Sequence, residues 1–201
     1  MLKVGLTGSI AVGKSFVCEV LRELGCYVLD ADLTARETVA KGTEGLAEVV
    51  RSFGCEVLTT DGEMDRKKMG ELVFADPAKR ELLNSIIHPR VIEAQDEWVR
   101  RIAATDPQGI VVIDAALMIE SGGYQRFDKL VVVWCEPAIQ LKRLMLRDNL
   151  SEADARQRIA AQLSQDEKKQ FADYLIDTSN GRDDTRLQIS VIVDRLRGVR
   201  T

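Results

Sequence analysis

The chain has 201 residues, with 28 basic and 32 acidic side chains and a net charge of −4, which suffices for one α/β domain with a substantial core and room for an inserted subdomain. The acidic balance argues against general binding to nucleic-acid backbones, no apolar run approaches the length of a membrane span, and Met1-Leu2-Lys3 leads straight into a strand pattern with no expected leader. Cys18, Cys26, Cys55 and Cys135 form no C-x-x-C pair, and the single histidine, His88, cannot complete a zinc set with them, so reduced, mostly buried thiols in a cytoplasmic protein are expected.

The first predicted strand is Leu2 to Thr7. It runs into Gly8-Ser9-Ile10-Ala11-Val12-Gly13-Lys14-Ser15, which fills every fixed position of G-x-x-x-x-G-K-[ST], and a helical pattern from Phe16 to Leu24 follows, closed by Gly25. In that context the loop's N–H groups turn inward on phosphate oxygens, and the helix start adds its positive dipole end. Gly8, Ala11, Val12, Gly13, Lys14, Ser15 and Phe16 are therefore the candidate nucleotide-binding residues. Lys14 supplies a mobile cation for the β- and γ-phosphates and the Ser15 hydroxyl a ligand for Mg²⁺.

A second strand, Tyr27 to Asp30, ends in Asp30-Ala31-Asp32 and puts carboxylates at the same sheet edge. A carboxylate there can orient an acceptor hydroxyl and take its proton. Asp32 has the alternative of capping a helix over 33–39, and spacing alone does not rank Asp30 against Asp32. Roughly eighty residues precede the next strand, where a helix of about a dozen would complete a parallel crossover. They read as helices Gly45 to Phe53, Arg66 to Ala75, Pro77 to Ile87 and Pro89 to Ala103, with Asp76-Pro77 as cap and first-turn proline and His88-Pro89 as a boundary. This predicts a helical insertion over the carboxyl edge of the sheet, where a second substrate binds. His88 reads as a positioning or structural residue rather than a proton carrier.

The third strand, Ile110 to Asp114, ends in an acid suited to hold Mg²⁺ directly or through water, with turn formation as the alternative for Asp114. Glu120, a little further on, could face the insertion and its substrate. Strands Lys129 to Trp134 and Tyr174 to Asp177 complete the set, and most are continuous apolar runs, as in a parallel sheet covered on both faces. Arg143 and Arg147 share the polar face of a helix whose other side carries Leu141 and Met145. Their guanidinium groups suit a transferring phosphoryl group, and pairing with Asp148 is the bland alternative for Arg147. From Asp148 to Lys169 a second insertion opens with the capping pattern Ser151 to Asp154, and a closing lid there would bring Arg156 or Arg158 to the same place. The expected fold class is α/β: a parallel five-stranded sheet flanked by helices, with a helical substrate-binding insertion and a lid. Its divisions are a nucleotide-binding core at 1–30, 105–147 and 170–201, a helical domain at 31–104, and the lid at 148–169.

Taken together, these strings resemble the dephospho-CoA kinase family over nearly the whole chain. The likeness lies in the phosphate loop, Val28-Leu29-Asp30-Ala31-Asp32 through Arg36, Met64-Asp65-Arg66, Leu72 to Pro77, and Leu83-Asn84-Ser85-Ile86-Ile87-His88-Pro89. It continues through Asp114 to Glu120, Gln140 to Arg143, Arg147-Asp148, Ala160-Ala161-Gln162 and Ala172 to Asp177. The resemblance implies phosphorylation of the ribose 3′-hydroxyl of dephospho-CoA by ATP with Mg²⁺, the last step of coenzyme A synthesis. It makes Asp32 the base and Lys14 and Ser15 the phosphate and Mg²⁺ contacts, and it puts Arg143 and Arg147 on the lid side of the nucleotide site; Asp30, Arg36, His88 and Glu120 are the candidate acceptor-binding residues. Ser9, Ala11 and Val12 depart from the family's usual loop; Ala116 stands where a proline is usual and Thr178 where an asparagine is usual.

Two rival readings are narrower. A shikimate-type kinase would also carry an acidic pair after the second strand, and Gly122-Gly123 with Arg126 faintly matches its substrate turn, but its insertion is much smaller. A GTP-dependent switch would need D-x-x-G after a strand and N-K-x-D; Asp106-Pro107-Gln108-Gly109 precedes a strand and no N-K-x-D string occurs. Adenine preference and transfer to an acceptor are predicted.

Overall fold

The computed structural model describes residues 1–198. In chain order the first elements are β1 (Leu2–Thr7), α1 (Lys14–Glu23), β2 (Tyr27–Asp30), α2 (Ala31–Thr38), α3 (Glu44–Phe53), α4 (Arg66–Ala75) and α5 (Pro77–Thr105). There follow β3 (Ile110–Asp114), β4 (Lys129–Trp134), α6 (Pro137–Asp148), α7 (Glu152–Ala160), α8 (Gln165–Lys169), β5 (Tyr174–Asp177) and α9 (Arg182–Gly198). They form two compact units, one from Met1–Asp30 together with the chain from Ile102 onward, the other Ala31–Arg101.

In the first unit the described strands make one five-stranded sheet in the order β2-β3-β1-β4-β5, parallel throughout. All five occupy the spans their apolar runs predict. Alternation divides each run between two faces. Val4, Leu6, Ile110, Val112, Val131, Val133 and Ile176 pack with Val17 and Val20 of α1 and with Ile189, Val193 and Leu196 of α9. On the opposite face, a β-carbon added at Gly5 would meet Met118 Sδ at 2.6 Å and Phe127 at 3.0 Å, so the chain after β3 covers that side closely. Parallel pairing brings the carboxyl ends of all the strands to one edge, and that edge carries the phosphate loop.

The 31–101 unit is helical around its own cluster of Val39, Val49, Val57, Met69 and Ile86. Its helix starts are capped locally: Thr43 Oγ1 accepts from Leu46 N–H at 3.2 Å, Asp65 from Lys68 N–H at 3.0 Å and Asp76 from Ala78 N–H at 2.9 Å. One expectation is corrected here. His88-Pro89 is no helix boundary, because α5 runs 29 residues with Pro89 inside it. Proline removes one backbone donor, the one that would serve the Ser85 carbonyl, yet Ile86 is buried with Leu83 and Ile87 packed beside it, and the Arg90 side chain donates to the Ile86 carbonyl at 2.8 Å. Burial of the turn before the proline, and of Gln95 two turns after it, keeps the helix continuous. Among the described residues no helix is long and apolar enough to cross a membrane.

Candidate active site

The phosphate loop is shaped by two backbone constraints. A β-carbon at Gly8 would sit 2.4 Å from the Val133 carbonyl oxygen, so only glycine lets β1 leave the sheet this close to β4. Gly13, with φ of 93°, and Ala11, with φ of 60°, are both left-handed, which costs nothing at glycine and strains an alanine. Lys14 opens α1, and its Nζ lies 2.9 Å from Asp114 Oδ1, with side chains 17% and 14% exposed. The other Asp114 oxygen accepts from Cys18 Sγ at 3.4 Å. Burial first, then the Asp114 charge and this hydrogen bond, push the Cys18 thiol up to about 12, which keeps it protonated as a donor. Asp30 stands in register with Asp114 on the neighbouring strand, so two carboxylates share one edge.

Around the loop, residues from distant elements hold its backbone. Arg143 donates to Thr178 Oγ1 and to the Thr178 carbonyl, each at 2.8 Å, and the threonine hydroxyl donates in turn to the Val12 carbonyl at 2.7 Å. Thr178 thus links an arginine to the loop, and a β-carbon on Gly13 would lie 3.6 Å from that guanidinium. The Ile10 N–H donates to Gln162 Oε1 at 2.8 Å, and Gln140 Nε2 donates to the Ile10 carbonyl at 2.9 Å. The Lys168 side chain is wholly buried, with Nζ 2.8 Å from Glu120 Oε1 and 2.8 Å from the Ala116 carbonyl. Thr7 Oγ1 also donates to that carbonyl, at 3.2 Å, so the turn after Asp114 is fastened from two sides.

Other predicted residues are more peripheral. Ser15 is exposed at the start of α1, and the Arg182 guanidinium lies 5.1 Å from the Phe16 ring centroid. Arg147 pairs with Asp148 at 2.8 Å, and Arg158 reaches the same carboxylate at 3.0 Å. Both guanidinium groups, Arg147 first, hold Asp148 below the usual carboxylate range. Glu120 is committed to Lys168 and to the Leu163 N–H at 3.2 Å. Asp32 and Arg36 are exposed in the first and last turns of α2, and His88 is exposed within α5; all three belong to the 31–101 unit. Sequence reasoning gave no role to Cys18, Gln165 or Lys168. Gln140 and Gln162 stood only inside matched strings, and Thr178 was marked only as a departure.

The Ser15 hydroxyl and Asp114 carboxylate are hard oxygen donors, the ligand type Mg²⁺ takes alongside phosphate oxygens and water. A parallel sheet in this strand order, with a lysine-bearing glycine loop at its carboxyl edge, defines a P-loop kinase. The dephospho-CoA kinase family profile matches residues 2–184. A dephospho-CoA kinase domain-containing protein of Danio rerio is 46% identical over 192 residues, covering 94% of this chain and 82% of that protein. The dephospho-CoA kinase of Listeria monocytogenes is 43% identical, with 96% of each chain covered. The solved dephospho-CoA kinase of Campylobacter jejuni superposes with a TM-score of 0.73 at 26% identity, covering 99% of this chain and 98% of that one. The chain belongs to the dephospho-CoA kinase family.

Proposed function

We propose that the protein transfers the γ-phosphoryl group of ATP to the ribose 3′-hydroxyl of dephospho-CoA, giving coenzyme A and ADP, and that it does so in the cytoplasm. The observation that carries this reading is the Lys14–Asp114 pair at 2.9 Å beneath a complete phosphate loop, in a chain of the dephospho-CoA kinase family. In this mechanism the amides of Gly8 and of Ala11 to Phe16 cradle the phosphates. Lys14 turns from Asp114 to the β- and γ-phosphate oxygens, and the freed carboxylate and the Ser15 hydroxyl would hold Mg²⁺. Held there, the ion would supply positive charge against the transferring phosphoryl group. Arg143, anchored beside Gly13, opposes the same charge, and Arg147 serves the nucleotide from the lid side, where 148–169 closes over it. Asp32 takes the proton of the acceptor hydroxyl, while Asp30, Arg36, His88 and Glu120 orient the acceptor.

The test is ADP formation by the purified protein with Mg²⁺ and ATP, comparing dephospho-CoA with shikimate, AMP, CMP and no acceptor. Turnover with dephospho-CoA alone, with a product mass gain of one phosphoryl group, is the expected result; stimulation by another acceptor would replace the assignment. Asp32→Asn should lower kcat by about 10²-fold or more while ATP still binds. Lys14→Ala should weaken ATP engagement as well. Equal activity of Asp32→Asn and the unsubstituted protein would move the base to another carboxylate.

A further inference from the structure

We propose that Gln140, Gln162 and Gln165 are positioning residues that clamp the two peptides flanking Ile10 and so hold the phosphate loop in its nucleotide-binding shape. The proposal rests on the ATP-binding reading above. Its basis is a directed chain of amide hydrogen bonds. The Cys135 N–H donates to Gln165 Oε1 at 2.9 Å, Gln165 Nε2 donates to Gln140 Oε1 at 2.8 Å, and Gln140 Nε2 donates to the Ile10 carbonyl at 2.9 Å. A backbone N–H can only donate and a carbonyl can only accept, so neither glutamine can be flipped without breaking the chain at one end. On the other side of the same residue, the Ile10 N–H donates to Gln162 Oε1 at 2.8 Å, which again admits one orientation. Gln140 is 2% exposed, so its bonds are sheltered from competition by water.

The residue after the clamped one is Ala11, held at φ of 60°. An L side chain resists that conformation, and the Ile10 carbonyl belongs to the peptide whose orientation sets it. The three glutamines come from α6, from the turn between α7 and α8, and from α8 itself. They therefore supply from outside the loop the constraint that Ala11, in place of glycine, makes necessary. Their loss is expected to let the loop relax toward a conformation that suits alanine and no longer cups a phosphate.

The experiment is calorimetric titration of the purified full-length chain with Mg²⁺-ADP and with the non-hydrolysable analogue AMPPNP. The variants are Gln140→Leu and Gln162→Leu, each with Ala11 and with Ala11→Gly, and steady-state kinetics are measured in parallel. Each leucine variant is expected to raise the nucleotide Kd about three- to tenfold, the worth of one net hydrogen bond, and to raise KM for ATP more than KM for the acceptor. On the Ala11→Gly background the same substitutions should cost at least threefold less, because glycine takes the left-handed conformation unaided. A purely structural role for the glutamines would lower thermal stability without this rescue of affinity. Unchanged Kd in both leucine variants overturns the proposal, as does a loss that Ala11→Gly leaves in place. Should Gln140→Leu fail to fold, Gln162→Leu, whose side chain is only partly buried, decides the matter. Failure of the unsubstituted protein to bind nucleotide overturns both this clamp and the ATP reading. Nucleotide binding without turnover of dephospho-CoA removes only the acceptor, and the Kd comparison still decides the clamp.

Discussion

Cys18 joins a chemically inert side chain to the centre of the site. Its thiol is pushed up to about 12 by burial and by Asp114, from a reference of 9.0, so the folded state holds the thiol proton more tightly than the unfolded chain does. This contribution to stability is complete below about pH 9 and is lost as pH rises toward 12. Urea midpoints should therefore fall over that interval, and Cys18→Ala should flatten the fall. The same burial protects three thiols, since Cys18, Cys26 and Cys135 are buried and Cys55 is exposed. A native thiol titration should detect Cys55 alone, and denaturant should release the others. Positions were legible in the sequence where spacing itself sets the backbone, as in Gly8 against the Val133 carbonyl, the left-handed Gly13 and Lys14 at the start of α1. They were hidden where a polar side chain reaches a distant backbone. Gln140, Gln162 and Lys168 sit in polar, helix-rich stretches, and nothing local says that Gln140 will be buried against a loop more than a hundred residues earlier. Thr178 was visible as an oddity, yet its bridge between Arg143 and Val12 needed the fold.

The strands were legible because a short, continuous apolar run between turn signals fits a strand covered on both faces. The boundary placed at Pro89 failed because local proline chemistry competes with packing, and packing won. A different kind of contact marks α8, a turn and a half held by the Gln165 amide and by one buried cation, Lys168. Its start was missed in the sequence, although Ser164 and Glu167 form a complete capping box there, while the pattern noticed earlier at Ser151 yields a cap on the Asp154 N–H at 3.2 Å. Lys168→Met should destabilise the protein by about 2 to 3 kcal/mol, at or below the low end for breaking a buried pair because Glu120 keeps some access to water. Adding Glu120→Gln should recover part of that loss by removing the unpaired charge. Denaturant unfolding of the single and double variants measures both numbers.

At the scale of the molecule, the eighty-residue gap between the second and third strands was enough to announce an insertion, because parallel crossovers need far less chain. The insertion has its own cluster around Val49 and Met69, separate from the one between the sheet, α1 and α9. The two tryptophans fall one in each unit, Trp98 in the helical insertion and Trp134 at the end of β4. Two single Trp→Phe variants therefore give fluorescence probes of each unit. Their unfolding curves should not coincide, and nucleotide should shift the Trp134 transition more than the Trp98 one. Strand order has a further consequence, in time rather than in space. Strand β1 lies in the middle of the sheet, yet both strands that flank it, β3 and β4, come after the insertion in the chain. On a ribosome β1 and the phosphate loop emerge early and wait unpaired, while the locally connected helices of 31–101 are free to form first. The sheet edge around the phosphate loop is completed only when the later strands arrive, so a segment translated early is among the last to take its final shape.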